Sequence, residues 1–297
     1  MDDYPNVKVY SANQLIIEEE ITPRLITPTY FPGILSYDPI NNEPQLSEFE
    51  AWCSLFNLRD GTKPKPTKEE IVGQLLEPCI FQKTRESIKR DYPSFKILNP
   101  NEYYKEIGIP PESQTNYCVR WNDERKWFGG KWDGIGLEHG INSMVIETKI
   151  KLASSRRYLR NNKNVPFVDL ATYNQISFYA WLMEVDLMGV GYGFVEEMEP
   201  ELVKDIIFDE TNTKFHVLCF DKRDSFYTDV VPKLLDWVEK YVKTRISPPA
   251  KTSEDWNLFQ RVIDNSQMVG LPVSLTNKEM AEIDKFMPRT GKIVIRK

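Results

Sequence analysis

The stretch VIETKIKLASSRR, Val145–Arg157, decides how this chain is read. Side chains on a β-strand alternate between faces. Ile146, Thr148 and Ile150 therefore share one face, which can pack on a helix. Val145, Glu147 and Lys149 share the other, with a carboxylate beside an ammonium at the strand's end. Such a pair is either a same-face salt bridge or part of a reactive site. Glu-x-Lys alone does not decide, since Glu124 and Lys126 repeat it in a predicted turn.

Asp133, in GGKWDGIG, lies fourteen positions before Glu147. A hairpin strand ending at Asp133 beside the strand carrying Glu147 brings two carboxylates together. Oxygen ligands of this kind suit Mg²⁺ or Mn²⁺. Such an ion lowers the pKa of a bound water and stabilises charge at phosphorus. Lys149 is placed to position or activate that water and to offset transition-state charge. Gly129, Gly130 and Gly134 leave room for a nucleic-acid backbone. The competing reading is a glycine-rich hairpin with a surface aspartate.

Composition bounds the rest. The 297 residues suit one large domain with appendages or two small ones. A hydrophobic content of 41% and an aromatic content of 12% exclude a disordered chain. With a net charge of -6, nucleic acid would have to bind through a local basic patch. Four dispersed cysteines, without a CxxC pair, and two histidines disfavour a zinc site and fit a reducing compartment. The start MDDYPNVKVY is acidic, unlike a secretory signal, and no apolar run is long enough for a membrane span. The expectation is a soluble intracellular protein with no membrane partner, in the cytoplasm, or in the nucleus or viral factory of an infected host.

Along the chain, residues 1–62 read as an N-terminal extension packed on the core, with β-like pieces such as PRLITPTYF. GTKPKPT reads as a linker. Thr67 and Glu70 form a capping box that opens a helix, which Pro78 should kink or bend. TNYCVRW and KWFGGKWDGIG read as strands joined by a turn at NDER, and LEHGINS as a loop into the strand Met144–Leu152. A helix fits Phe167–Val185; LMGVGYGFVEE and KFHVLCFDK read as strands; DVVPKLLDWVEKYVKT reads as the last helix. The core is assigned to 63–246 and a C-terminal tail to 247–297. This order predicts an α/β fold with a central mixed sheet flanked by helices.

Asp133 followed by VIETK resembles the PD-(D/E)xK nuclease core, the restriction-endonuclease-like fold. GQLLEP, Gly73–Pro78, looks like the helical motif whose glutamate completes the metal site. NQISFYAWLM, with Gln175 and Tyr179, is similar to the QxxxY helix of RecB-type nucleases. In this order, over Thr67–Lys243, the motifs resemble the lambda-exonuclease and YqaJ-like viral recombinase family; VLCFDKRDSFYTDVVPKLLDWVEK looks like its last strand and helix. The resemblance implies that Glu77, Asp133, Glu147 and the Thr148 carbonyl bind Mg²⁺, for which Mn²⁺ can substitute. It implies catalytic roles for Asp133, Glu147, Lys149, Gln175 and Glu77, and a DNA-binding role for Tyr179, on the same helical face as Gln175. Without it, Glu77 reads as a solvated helix residue, Gln175 as a polar break and Tyr179 as core.

From Lys149 to Asn164 there are six basic residues and no acid: Lys149, Lys151, Arg156, Arg157, Arg160 and Lys163. As a DNA-binding run they would meet phosphates, with Tyr158 stacking on a base; otherwise they form a solvated loop. Lys83, Arg85, Lys89 and Arg90 are a second basic cluster. No helix-turn-helix or zinc-finger pattern suggests base reading. The resemblance implies a Mg²⁺-dependent exonuclease resecting linear double-stranded DNA ends 5′ to 3′. The 3′ strands would serve an annealing partner in recombination, repair or viral replication. It also implies a homo-oligomer, a trimer in that family. The family's N-terminal Arg and Gly-x-Ser motif for a 5′ phosphate finds no match in residues 1–66. The competing functions are a PD-(D/E)xK endonuclease, structure-specific or restriction type, and a catalytically silent DNA-binding protein.

Overall fold

The computed structural model describes residues 5–35, 46–58, 66–108, 123–156 and 168–266. The expected strand over 115–121 lies outside them, as do Arg157, Tyr158, Arg160, Lys163 and the basic end of the tail. The chain forms two compact units, 1–62 with 230–297, and 63–229. The boundary expected at 246 thus falls at 229–230. Among the described residues no helix is long and apolar enough to cross a membrane.

The first unit begins with β1 (Val7–Ser11) and β2 (Gln14–Ile17), an antiparallel pair, followed by α1 (Phe31–Ile34) and α2 (Glu48–Leu55). PRLITPTYF is not a strand; Pro28–Tyr30 forms a 3₁₀ turn, to which proline's fixed φ is suited.

The second unit holds the site. Its elements are α3 (Lys68–Asp91), β3 (Lys96–Leu98), α4 (Pro100–Glu106), β4 (Gly134–Glu138), β5 (Ile141–Leu152), α5 (Leu170–Met183), β6 (Leu187–Val195) and β7 (Thr213–Cys219). The five strands form one mixed sheet in the order β3-β4-β5-β6-β7. Only β5 and β6 run parallel, and α5 makes the crossover that a parallel pair requires. The expected α/β architecture with flanking helices is the one observed.

Two local readings change. LEHGINS is not a loop: β5 begins at Ile141, and His139 and Gly140, at φ 51° and 80°, turn the chain between β4 and β5. Positive φ at both central residues is what a two-residue type I′ hairpin needs. NDER is not a hairpin turn, since Asp123 caps a 3₁₀ turn over Glu124–Trp127. Helix α3 carries Pro78 in its interior and runs for 24 residues. Tertiary packing holds the helix despite the lost N–H: Val72, Leu76, Ile80, Thr84 and Ile88 form a buried stripe at four-residue spacing. Burial of each aliphatic member contributes roughly 1.5–3 kcal/mol.

That stripe lies against β6, and glycines set how closely. A Cβ on Gly191 would stand 2.0 Å from Thr84 Oγ1, and one on Gly193 2.0 Å from Ile80 Cδ1. The register pairs Ile146, Thr148 and Ile150 with Gly189, Gly191 and Gly193. The face that the sequence assigns to a helix is therefore the one α3 covers. The last two elements, α6 (Val231–Trp237) and α7 (Ser253–Asn265), belong to the first unit. There Ser247 Oγ accepts the Leu15 N–H at 2.8 Å, and Trp52 Nε1 donates to the Tyr241 carbonyl at 3.0 Å.

Candidate active site

The site forms where β4 leaves β5. Their pairing begins at Gly134 opposite Ile146, while β5 runs on to Leu152 against β6 alone. The uncovered edge from Glu147 to Leu152 lines a cleft of about 980 Å³, with the N-terminal half of α3 on its other side. Asp133 precedes β4 rather than ending a strand, and its N–H donates to the Ile146 carbonyl at 3.1 Å. That bond places Asp133 beside Glu147.

Glu77, Asp133, Glu147, Thr148 and Lys149 all line the cleft. Lys149 Nζ donates to Glu147 Oε1 at 2.5 Å, so the two are partners on one strand face. Gln175 Nε2 donates to the same oxygen at 2.7 Å and approaches Tyr179 OH at 3.4 Å. Glu147 Oε2, by contrast, is buried with no hydrogen-bond partner among the described residues. Asp133 Oδ2 accepts from the Thr148 N–H at 2.6 Å and from Thr148 Oγ1 at 2.7 Å.

Crowded carboxylates alter the electrostatics. Burial, then the charge of Asp133, push the Glu147 carboxyl up to about 8 against the pull of Lys149. Burial also raises Asp133, opposed by Lys149 and Thr148. Glu77 rises through burial and then through Asp133, with Lys131 opposing. Burial pulls the Lys149 ammonium down, but Glu147 and Asp133 outweigh it and hold the group above its ordinary value. One half-buried cation thus stands among several carboxyl groups, an arrangement short of positive charge.

The donor set fits a hard divalent cation. An ionisable oxygen left unpartnered in a buried site is costly unless something binds it. Among the described residues no three His, Cys, Asp or Glu side chains stand close enough to enclose an ion. Mg²⁺ is usually held by one or two carboxylates and keeps several waters, so an open set suits it.

The remaining sequence candidates are placed differently. Lys151 lines the cleft, but its Nζ lies 3.3 Å from Asp169 Oδ2. Arg156 is bound into the protein: its guanidinium lies 5.1 Å over the Phe194 ring and donates to the Thr211 carbonyl at 2.8 Å. Tyr179 is buried. The close approaches expected of nucleic acid at Gly130 and Gly134 are made by the protein's own rings. A Cβ there would stand 2.3 Å from Tyr179 Cε1 and Phe81 Cε2 respectively. In the second basic cluster, Lys83 pairs with Glu86, Arg85 with Glu102, and Arg90 with Asp91.

Asp169 is a residue that sequence reasoning missed. It caps α5, accepting from the Thr172 N–H at 3.0 Å and the Thr172 hydroxyl at 2.9 Å, and Tyr192 OH lies 3.2 Å away. It thereby ties the helix carrying Gln175 to β5 and β6. Its signal was an aspartate before an apolar helical run, read as helix interior when the start was set at Phe167.

No family model matches the chain, and no curated protein does. Solved structures similar in chain path include three exonucleases. The alkaline exonuclease LHK-Exo, in complex with dAMP, shares 10% identity at a TM-score of 0.48, over 74% of this chain and 89% of that one. A second LHK-Exo structure, from Laribacter hongkongensis, gives 11% and 0.44, over 74% and 91%. A phage-related exonuclease from Haemophilus somnus gives 14% and 0.44, over 74% and 94%.

Proposed function

We propose that the chain is a divalent-metal-dependent DNA nuclease that resects linear duplex ends. One observation carries the reading: Glu147 gives Oε1 to Lys149 and Gln175 and keeps a buried Oε2 unpartnered in a carboxylate-lined cleft. Glu147 and Asp133 would hold the ion, with the Thr148 carbonyl as a further ligand, and Glu77 would add a carboxylate to the same cleft outside that set. When bound, Mg²⁺ or Mn²⁺ would supply charge neutralisation at the scissile phosphate and an activated water.

The chain's own groups do the rest. Thr148 fixes one oxygen of Asp133 through two donors, so that carboxylate is oriented before substrate arrives. Gln175 does the same for Glu147. Lys149, held protonated by its carboxylate neighbours, acts as a positive charge and donor toward the developing phosphorane rather than as a base. The exonuclease polarity, 5′ to 3′, comes from the motif resemblance alone, as do the annealing partner and the trimer.

The test uses linear duplex DNA labelled separately at each 5′ and 3′ end, with Mg²⁺ or with EDTA, and Lys149→Ala in parallel. The expected result is Mg²⁺-dependent loss of one strand, absent in the variant. A covalently closed circle cut as fast as the linear form would favour an endonuclease. Binding with no cleavage, in Mg²⁺ and in Mn²⁺, would overturn the reading.

A further inference from the structure

Among the described residues three ammoniums line the cleft, and they differ in how firmly they are held. Lys68 Nζ lies 2.7 Å and 2.9 Å from the two Glu199 carboxylate oxygens, and Lys149 donates to Glu147 Oε1 at 2.5 Å. Lys151 Nζ stands 3.3 Å from Asp169 Oδ2, beyond the usual range of a good hydrogen bond. Both members of that pair are partly open to solvent, where ion pairs are weak. Asp169 does not depend on Lys151. Its Oδ1 accepts the Thr172 N–H at 3.0 Å, and its Oδ2 accepts the Thr172 hydroxyl at 2.9 Å and the Tyr192 hydroxyl at 3.2 Å. Departure of Lys151 therefore leaves the carboxylate satisfied. Withdrawing Lys149 would instead strip a donor from Glu147, which is buried. Lys151 shares a strand face with Glu147 and Lys149, on the stretch of β5 that β4 leaves uncovered. It stands about 7 Å beyond Lys149 along the strand, roughly two nucleotides at 3.4 Å each.

We propose that Asp169 parks Lys151 until a DNA strand enters the cleft, when the ammonium moves to a phosphate beside the scissile one. The inference rests on the nuclease reading. Lys151 is then a substrate-binding residue, and Asp169 a positioning residue that acts through it. The ammonium exchanges one anion for another, so Asp169 weakens DNA binding by the strength of the pair that has to break. Parking also keeps the ammonium off Glu147 Oε2, which has no hydrogen-bond partner among the described residues.

The experiment measures binding of the full-length protein to a fluorescently labelled linear duplex over a range of salt, with Ca²⁺ in place of Mg²⁺. The proteins are the wild type, Lys151→Met, Asp169→Asn and the double variant; Met keeps the apolar stem, and Asn keeps the helix cap. Asp169→Asn should tighten binding about fivefold, because Lys151 no longer leaves a carboxylate to reach DNA. Lys151→Met should weaken binding about twofold on its own and about tenfold in the Asp169→Asn background. It should also flatten the slope of log Kd against log salt by about 0.9, the share of one phosphate contact. Asp169→Ser, another capping residue, should reproduce the Asp169→Asn result, which separates loss of charge from a folding defect. Equal effects of Lys151→Met in the two backgrounds would overturn the parking, and an unchanged salt slope would overturn the phosphate contact. Cleavage of the same duplex by the wild type in Mg²⁺ tests the nuclease reading separately: no cleavage would sink that reading and this inference with it.

Discussion

Stability should fall with rising pH because of one side chain, Glu147. Its carboxyl titrates from an ordinary value of 4.5 up to about 8 in the fold. The folded state therefore keeps a proton that the unfolded state has lost, across the window from about 4.5 to 8. Stability is fullest below that window and declines through it, by up to about 1.4 kcal/mol per pH unit. From pH 6 to pH 8 the loss from this group is about 2 kcal/mol. Glu147→Gln keeps the shape and the acceptor for Lys149 and Gln175 but cannot ionise. Urea unfolding in EDTA at several values from pH 6 to 8 should give a descending profile for the wild type and a markedly flatter one for the variant. Asp133 and Glu77, also raised, keep some slope in both proteins, so the difference between the profiles is the readout. Parallel profiles would refute the claim that Glu147 is buried at an electrostatic cost. Saturating Mg²⁺ should raise the wild-type melting temperature more at pH 8 than at pH 6, since the cation takes the proton's place.

Gln175→Ala removes the donor that orients Glu147 and should lower the cleavage rate by about 10–100-fold while costing about 1 kcal/mol or less in urea. Equal losses of rate and of folded protein would mean a purely structural role. Gly191→Ala places a Cβ against Thr84 Oγ1, should cost about 1–3 kcal/mol by calorimetry and should regain part of it with Thr84→Ala. Asp169→Ala strips the cap from α5 and should cost about 0.5–2 kcal/mol, whereas Asp169→Asn, itself a good cap, should cost less; equal losses would assign the effect to the Lys151 pair instead.

What the sequence made legible was local. Period-two alternation put Glu147 and Lys149 on one face, and the structure joins them directly. The Thr67 and Glu70 capping box is present at the start of α3, with Thr67 N–H donating to Glu70 at 2.8 Å. The i,i+4 spacing of Gln175 and Tyr179 likewise became a contact. What escaped depended on distant partners. Nothing within a few residues of Arg156 announces that it will lie on Phe194, or that Gly130 will be filled by the ring of Tyr179. Lys151 looked like one of a run of cations until α5 brought Asp169 beside it. The His139–Gly140 turn was readable in principle, but histidine at positive φ is uncommon enough to hide it.

The glycine seat on β6 also has a consequence for when the candidate site comes into being. Glu77 belongs to a helix synthesised early, yet the surface that receives that helix is not complete until residue 193 has been made. Gln175 arrives only shortly before. The Gln175–Glu147 bond and the seating of α3 on β6 join segments far apart in the chain, so loop closure must come before either forms. A ribosome-bound chain shorter than this holds carboxylates but no assembled centre. Assembly of the site is thereby timed by the chain's own length, and truncation before β6 should yield a protein without the site rather than a weakened one.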